Sequence, residues 1–530
     1  MASVLESFTG AFGSIKGAIF GEPEPKIPEI KGQLTELPGP KDAIQALKDQ
    51  LEGRLFTIGD DYKAYEAARI GTTTKFWNHD VLARPVAIAT CKTKQDVVAC
   101  IKFYTQYCHN VDGITLNVAG GRHSSMCFTD NAFAIDLSMM KKVTVNVEES
   151  WCDAEGGALW ADVLKAGAPH SLAVTGGTAT STGIGGLTVQ GGHGFLERTF
   201  GLTIDNVLEY EIVTATGEVI VASETKNSDL FWAQSGGGAN FGVITRFRYR
   251  LHKVPELMFA GQRIHVPLGT GSWFPDRGDL IEKYSKLTVE SGNDNSTGVL
   301  ILPVGGPVVE LLVYTGDPVE GAEFYKPHFK NSGFPVRNTC QPRSYFTDVS
   351  YMPPDHPGNY YMSGIMSKDM TPELADTLSE LAQSKNAPGS GCTATIICMP
   401  LGGVAGKKKP EESAFAHRDA RWWFILEGEW TAKPGTDAYS TQKENVIKWI
   451  RKAQCALKAF KFGNYAVGSE VATHGEEKSK DDAFVTRGEI AKVMNLRNIY
   501  GGNLPRLQKI KHKYDPTNLF VNCDNILPKP

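Results

Sequence analysis

The chain has 530 residues, of which 41% are hydrophobic and 22% charged, and its formal net charge is −4. These values are typical of a globular protein with a substantial core, and the acidic balance argues against nucleic acid as a main partner. Ten cysteines are present without a CxxC pair, so we predict reduced thiols and no metal site.

The N-terminus shows neither a membrane span nor a secretory signal. No apolar run reaches the roughly 18 residues that a membrane-spanning helix needs, and the first 20 residues lack the basic start of a signal peptide. We therefore expect a soluble, intracellular protein. The same residues predict an amphipathic helix that either docks on the protein's own surface or associates with a membrane. Its apolar positions are Val4, Phe8, Phe12, Ile15 and Ile19.

Helices and strands alternate after a Pro-rich linker at Glu22–Pro28. The pattern predicts a helix over Lys41–Gly53 and another that opens at Thr93, where Asp96 completes a capping pattern. Further on, a helix is predicted within Glu155–Ala168 and a hairpin over Val207–Ala222. Strands are predicted at Arg84–Ala89, Ile114–Ala119, Ala132–Leu137, Val143–Val147 and Val243–Leu251.

The sequence changes character after about residue 255, where proline becomes frequent and glycine clusters disappear. Strand-like runs separated by helical stretches predict an antiparallel sheet with helices on one face. We therefore divide the chain into residues 1–40 (helix and linker), 41–255 (first domain), 256–477 (second domain) and 478–530, which we expect to return to the first domain.

Two glycine-dense segments, Gly120–Ser125 and Gly183–Gly194, are the clearest functional signal. Glycine lets other atoms approach the backbone closely, so such loops can wrap N–H groups around phosphates. Neither segment has the GxGxxG spacing of a dinucleotide fingerprint in its strand–helix context, and no P-loop occurs. A site made of two separate loops remains, and it suits a cofactor as long as FAD.

Several long motifs in order then resemble a known family. They include Gly201–Val207, Asn227–Trp232 with the following Gly236–Gly242, and the C-terminal Arg506–Phe520. The chain resembles the FAD-linked oxidoreductases of the vanillyl-alcohol oxidase superfamily, in the branch of berberine-bridge-enzyme-like and 6-hydroxynicotine oxidases. The resemblance implies an α+β fold, with a two-lobed FAD-binding domain of the PCMH type and a substrate domain whose antiparallel sheet is covered by helices.

The resemblance also implies which residues hold FAD. His123 is expected to bond covalently to the flavin 8α-methyl group, and Ala179 replaces the cysteine that would supply a second bond. Arg122 stands where the branch usually has a glycine, which predicts a cation near the diphosphate. Thr182 matches a usually apolar position that influences oxygen access. The full predicted set is Gly120, Gly121, Arg122, His123, Ser124, Ser125, Gly176, Thr182, Gly183, Gly185, Gly186, Gly192, His193, Gly242, Val243 and Asn503.

Three residues are candidates for catalysis. Tyr465 occupies a position where family members often have a tyrosine, although Val467 replaces their asparagine. Glu427 and Glu429 share one face of a predicted strand, and we favour a solvent-facing position for them over contact with the flavin. For His417 we favour a hydrogen-bonded structural role over a catalytic one.

The implied function is oxidation of a C–O or C–N bond of a small organic molecule by hydride transfer to flavin N5, with O2 as the electron acceptor and H2O2 as product. Two alternatives stay open. One is a flavin enzyme of secondary metabolism that catalyses oxidative cyclisation or a non-redox isomerisation, and the other is a binding protein that keeps the fold without catalysis.

Overall fold

The computed structural model describes residues 36–59, 61–71, 74–269, 273–352, 356–462, 496–521 and 524–530. The predicted N-terminal helix and the catalytic candidate Tyr465 lie outside these residues. Within them, no helix combines the length and the apolar character that crossing a membrane requires.

The first sheet carries the chain to the first glycine segment. Its strand order is β1-β2-β4-β3, with β2 and β3 parallel to β4 and β1 antiparallel to β2. The side chain of Thr93 accepts a hydrogen bond from Asp96 N, which confirms the predicted cap. The strands are β1 (Arg54–Thr57), β2 (Ala87–Thr90), β3 (Leu116–Ala119) and β4 (Phe133–Asp136); the helices are α1 (Lys41–Gln50), α2 (Tyr62–Ile70) and α3 (Lys94–Tyr107).

The second sheet is antiparallel, in the order β5-β6-β10-β8-β9, and its hairpin β8–β9 confirms the one predicted from the sequence. A short pair, β7 with β11, lies beside it. The strands are β5 (Val143–Asn146), β6 (Trp151–Glu155), β7 (Leu172–Ala173), β8 (Val207–Val213), β9 (Val219–Ser223), β10 (Val243–Arg250) and β11 (His252–Lys253); the helices are α4 (Trp160–Gly167), α5 (Ile184–Val189), α6 (Glu197–Phe200) and α7 (Ser228–Gln234).

The third sheet is large and antiparallel, in the order β15-β12-β14-β13-β18-β19-β17, with β16 also paired to β12. Its strands are β12 (Leu257–His265), β13 (Ser296–Pro303), β14 (Val308–Tyr314), β15 (Arg337–Asn338), β16 (Gln341–Ser344), β17 (Asn359–Ser367), β18 (Cys392–Pro400) and β19 (Trp422–Trp430); its helices are α8 (Arg277–Ser285), α9 (Pro318–Asn331), α10 (Pro372–Leu381) and α11 (Asp437–Leu457).

The two faces of this large sheet bury different partners. Trp422, Phe424 and Leu426 share an apolar cluster with Trp449 of α11, so the predicted helix-covered face is confirmed. Trp423, on the opposite face, belongs to a cluster with residues of the 195–204 segment. The second face therefore looks toward the glycine-rich part of the chain.

The C-terminal helix α12 (Leu504–Tyr514) is fixed by a fully buried lysine. Lys511 Nζ donates to Asp515 Oδ2 at 2.6 Å and to the carbonyl oxygens of Asn240 and Phe520, each at 2.8 Å. These bonds tie the C-terminal segment to the glycine-rich motif Gly236–Gly242, which contains Asn240. The domain bounds given above stay a prediction.

Replacing Lys511 by alanine should lower the free energy of unfolding by about 3–5 kcal/mol, because Asp515 would be left buried without its cation. The measurement is the shift in melting temperature and denaturation midpoint. The matched control is Lys513→Ala on the same helix, which removes the more exposed pair with Asp229 and should cost less than about 1 kcal/mol. Equal losses for both variants would contradict this account.

Candidate active site

The two glycine segments meet backbone to backbone. A Cβ atom built on Gly121 would lie closer than 3.0 Å to Gly183 N, and one built on Gly183 would lie equally close to Gly121 N. Gly183 also forms an isolated antiparallel bridge with Leu159. Only glycine at both positions permits this approach, which places the main-chain amides of two distant loops side by side.

Space and polar groups for a phosphorylated cofactor remain around this junction. A Cβ atom on Gly186, in the first turn of α5, would have nothing within 4 Å, and one on Gly185 would meet only Gly156 O at 3.4 Å and Phe247 at 4.0 Å. The hydroxyl oxygen of Ser125 is buried and has no hydrogen-bond partner among the described residues. Open space at the glycines of one loop and an unsatisfied hydroxyl group on the other loop both fit the diphosphate of FAD.

The side chain of Arg122 is used differently from our expectation. Its guanidinium is buried, donates to Asp136 Oδ2 at 2.7 Å, and donates to the carbonyl oxygens of Arg69 and Ala68 at 3.0 and 3.1 Å. The prediction of a cation near the diphosphate is therefore wrong for this side chain, because its charge is neutralised inside the protein.

His123 lies beside the second glycine segment. A hydrogen bond of 2.7 Å joins its Nε2 to Ser181 Oγ, and Thr182 Oγ1 is 3.5 Å from its Nδ1. The half-buried imidazole also stacks on the indole ring of Trp77, with ring centroids 5.3 Å apart. Its neighbour Ser124 turns inward on its own loop, where its hydroxyl accepts from Met126 N. The structure thus brings His123 and Thr182 together as predicted site residues.

His193 marks the other end of the site. The imidazole is buried, its Nδ1 lies 2.7 Å from Glu197 Oε2, and its ring centroid is 5.2 Å from that of Trp423. The nearby Gly192 and Gly176 are already required by packing, since a Cβ atom would clash with Thr203 at the first and with the Trp160 ring at the second.

Three other predicted cofactor residues serve packing in this structure. A Cβ atom on Gly242, where φ is +147°, would clash with Ile212, and the Val243 side chain lies in the core. Asn503 Nδ2 donates to the carbonyl oxygens of Pro410 and Ser413 at 2.8 and 3.0 Å. A contact of these residues with the flavin stays a prediction.

One face of β19 spans the distance between the two histidines. Trp423 lies against His193, and at the far end Glu429 is paired across the sheet with Tyr360 of β17. The Tyr360 ring stacks on Trp77 with centroids 4.4 Å apart, and Trp77 in turn stacks on His123. Six residues of strand cover about 20 Å, so this face lies over the loops that carry both histidines.

Glu427 lies in the middle of that face. Its neighbours along β19 belong to the helix-covered face, and it is paired across the sheet with Thr395 and Met362. Burial, and to a lesser extent the charge of Glu429, raises the pKa of Glu427 to about 7. Burial also raises the pKa of Glu429. Glu427 is partly buried and partly exposed, so the solvent-facing position that we favoured stays a prediction.

His417 is held by the segment that precedes α12. A hydrogen bond of 2.7 Å joins its Nε2 to Asn498 O, and burial lowers the pKa of the imidazole. The adjacent Arg418 forms a buried ion pair with Asp205 at 2.7 Å. These contacts support the structural role that we favoured for His417 over the catalytic one.

Sequence reasoning missed Trp77, Tyr360 and Ser181 as site residues. Ser181 adjoins Thr182, so its motif offered a signal. Trp77 and Tyr360 belong to no motif, and only the tertiary structure brings their rings together.

Comparison with known proteins shows which proteins the chain resembles. A family model described as an FAD binding domain matches residues 85–223, and one described as berberine and berberine like matches residues 494–527. The chain is 27% identical over 472 residues to the (R)-6-hydroxynicotine oxidase of Paenarthrobacter nicotinovorans, covering 86% of this chain and 93% of the relative. It is 27% identical over 475 residues to the chitooligosaccharide oxidase of Gibberella zeae, covering 84% and 88%.

The chain is an FAD-linked oxidoreductase. It is similar over most of its length to members of the vanillyl-alcohol oxidase superfamily, in the berberine-bridge-enzyme-like branch. The predicted fold class is confirmed as well. The solved structure of a berberine-bridge-enzyme-like protein from Physcomitrella patens superimposes with a TM-score of 0.74 at 19% identity, covering 92% of this chain and 99% of the other.

In this FAD-linked oxidoreductase, Glu427→Gln should remove a pH dependence of stability. The carboxyl group has a higher pKa in the folded state (about 7) than its ordinary 4.5, so the wild type loses stability as pH rises from about 4.5 to 7, by about 3 kcal/mol at most. The glutamine does not titrate, and the melting temperature of the variant should exceed that of the wild type increasingly over this range.

The control is Glu323→Gln, which removes an exposed carboxylate from α9 and should melt in parallel with the wild type at every pH. A constant difference between Glu427→Gln and the wild type from pH 4.5 to 7 would show that Glu427 titrates normally.

Proposed function

We propose that this protein oxidises a C–O or C–N bond of a small organic molecule with FAD bound in the two glycine segments. The observation that carries the proposal is the position of Glu427, a carboxyl group of raised pKa on the sheet face that lies over His123 and His193. Ionisable groups with shifted pKa values concentrate at catalytic sites. The two relatives, (R)-6-hydroxynicotine oxidase and chitooligosaccharide oxidase, support the same reaction class.

Different residues of the chain would bind the diphosphate and the ring of the cofactor. Main-chain amides of residues 120–125 and 183–186 would surround the diphosphate, and Ser125 would contribute its unsatisfied hydroxyl. His123 would form the covalent bond to the 8α-methyl group, since its imidazole is half-buried beside the junction of the loops. When bound, the flavin supplies the acceptor for the substrate hydride.

Glu427 would act as the general base. Hydride transfer from a carbon is helped when the adjoining O–H or N–H loses its proton, and a base with a pKa near neutral is suited to accept it. The raised pKa means that the carboxyl group is neutral in mildly acidic solution and ionised above about pH 7. Trp423 and Tyr360, on the same face, would form apolar walls on either side of it.

We further propose O2 as the electron acceptor, with H2O2 as product. This part is supported by the names of the two relatives, both of them oxidases. Thr182, whose Oγ1 is 3.5 Å from His123 Nδ1, replaces the usually apolar residue at the position that the resemblance links to oxygen access, and so does not itself support O2. Peroxide release during turnover in air, compared with turnover using an artificial electron acceptor, tests this part separately.

The reaction is tested by mixing the purified protein anaerobically with panels of amines, alcohols and carbohydrates and following bleaching of the flavin spectrum. For a compound that bleaches it, the rate should rise with pH through about 7, because Glu427 must be ionised. Glu427→Gln should slow bleaching by about 10²- to 10⁴-fold and flatten the pH profile. An unchanged rate and profile in this variant would remove Glu427 from the mechanism.

His123→Ala should abolish the covalent link while leaving the fold and noncovalent FAD binding largely intact, because the imidazole supplies the only predicted bond to the ring. Acid precipitation should release all the yellow colour from the variant and none from the wild type. A variant that retains flavin after precipitation would place the attachment elsewhere.

A further inference from the structure

Arg122 occupies a backbone conformation that favours glycine, directly before the histidine that we assign to flavin attachment. Its φ is +55°, in the left-handed region, which costs an ordinary L-residue about 1–2 kcal/mol. The chain keeps an arginine there and buries its side chain to 2% exposure. A strained residue persists next to a functional histidine only where the surrounding structure holds that residue in place.

The guanidinium is buried among groups that complement it, although its Nε has no hydrogen-bond partner among the described residues. It is paired with Asp136 of β4, and it donates to two carbonyl oxygens of the last turn of α2, where the helix dipole is negative. The rings of Phe76 and Phe128 lie 5.3 and 4.9 Å from its Cζ, within the range of cation–π attraction.

The opposite side of the His123 loop is fixed by the residue next to Phe76. Trp77 N donates to Arg122 O at 3.2 Å, and the Trp77 ring stacks on the His123 imidazole. The same short segment therefore contacts the guanidinium, the Arg122 backbone and the His123 ring.

This segment is in turn attached to the large sheet. Asn78 Nδ2 donates to Tyr360 O at 2.9 Å, and Tyr360 N donates to Asn78 Oδ1 at 3.1 Å. Asp80 accepts a hydrogen bond from the Tyr439 hydroxyl group and is paired with Lys443 at 2.8 Å, both residues of α11. Through these contacts the position of the sheet is transmitted to the Trp77 ring.

From this geometry we propose that Arg122 and Trp77 are positioning residues that clamp His123 for covalent attachment of the flavin, with Arg122 fixing its backbone and Trp77 its ring. The proposal rests on the proposed function, which assigns the attachment to His123. Bond formation between a mobile side chain and a bound ring is slow unless the two atoms are held in reacting geometry, and a misplacement of about 1 Å can cost 10²-fold in rate.

Attachment forms a bond between an imidazole nitrogen and the 8α carbon and breaks one C–H and one N–H bond. The two protons and two electrons so released would pass to the isoalloxazine ring system, and O2 would then take up both as H2O2. The clamp residues take no part in this exchange, so their removal should change the rate of attachment and leave its product the same.

The test compares the full-length variants Arg122→Gly, Arg122→Asn, Trp77→Leu and Trp77→Phe, each purified from riboflavin-limited cells and incubated with FAD in air. Glycine and asparagine both tolerate the left-handed conformation, so the Arg122 variants remove the guanidinium without adding backbone strain. Acid-stable flavin is followed over time as a fraction of total bound flavin. We expect a rate about 10- to 100-fold lower for both Arg122 variants and for Trp77→Leu, and a rate close to wild type for Trp77→Phe.

Arg263→Ala is the matched control, because Arg263 is an equally buried arginine paired with Glu310 in the large sheet. It should lower thermal stability without changing the rate of attachment. Arg122 variants that lose stability but attach flavin at the wild-type rate would overturn the clamp and leave the proposed function standing. A wild-type protein that binds FAD only noncovalently would overturn the His123 link, and the clamp with it.

Discussion

The close approach of Gly121 and Gly183 is the constraint on which the rest of the site depends. A side chain on either residue would occupy the space of the other backbone. With hydrogen at both positions, the end of β3 and the start of α5 come together, and His123 is carried to Ser181 and Thr182. The amides of both loops then converge without any charged side chain, which suits recognition of a phosphate by the main chain.

The large sheet contributes to the site through β19, whose side chains point alternately to the two faces of the sheet. Residues of β19 that point to the helices fill a core of aromatic and aliphatic side chains, while those between them face the glycine segments. Burying a carboxyl group on that second face is unfavourable for its ionised form. A threonine or leucine would pack at the position of Glu427 without this cost, and the proposed function gives the carboxyl group a use there, the acceptance of a proton.

Local sequence patterns predicted much of the fold but little of the tertiary arrangement. The cap at Thr93, the β8–β9 hairpin and the antiparallel character of the large sheet follow from short-range chemistry, and all were predicted. The alternation around Glu427 was also recognised, but alternation is the same whether water or another part of the chain covers the polar face. The stack of Trp77 on Tyr360 could not be predicted from the sequence, because nothing in either local sequence points to a partner some 280 positions away.

Arg122 shows why a departure from a family motif is not by itself a sign of lost function. Replacing glycine in a left-handed position adds strain and introduces a charge that must be buried or solvated. In this chain the charge meets a carboxylate, two helix-end carbonyl groups and two aromatic rings, so the loop is held by more contacts than a glycine could make. Burial of the guanidinium by itself requires such complementary surroundings. Because they come from β4, from the last turn of α2 and from the segment that contains Phe76, the loop that carries His123 is attached to three separate parts of the chain, as the proposed clamp requires.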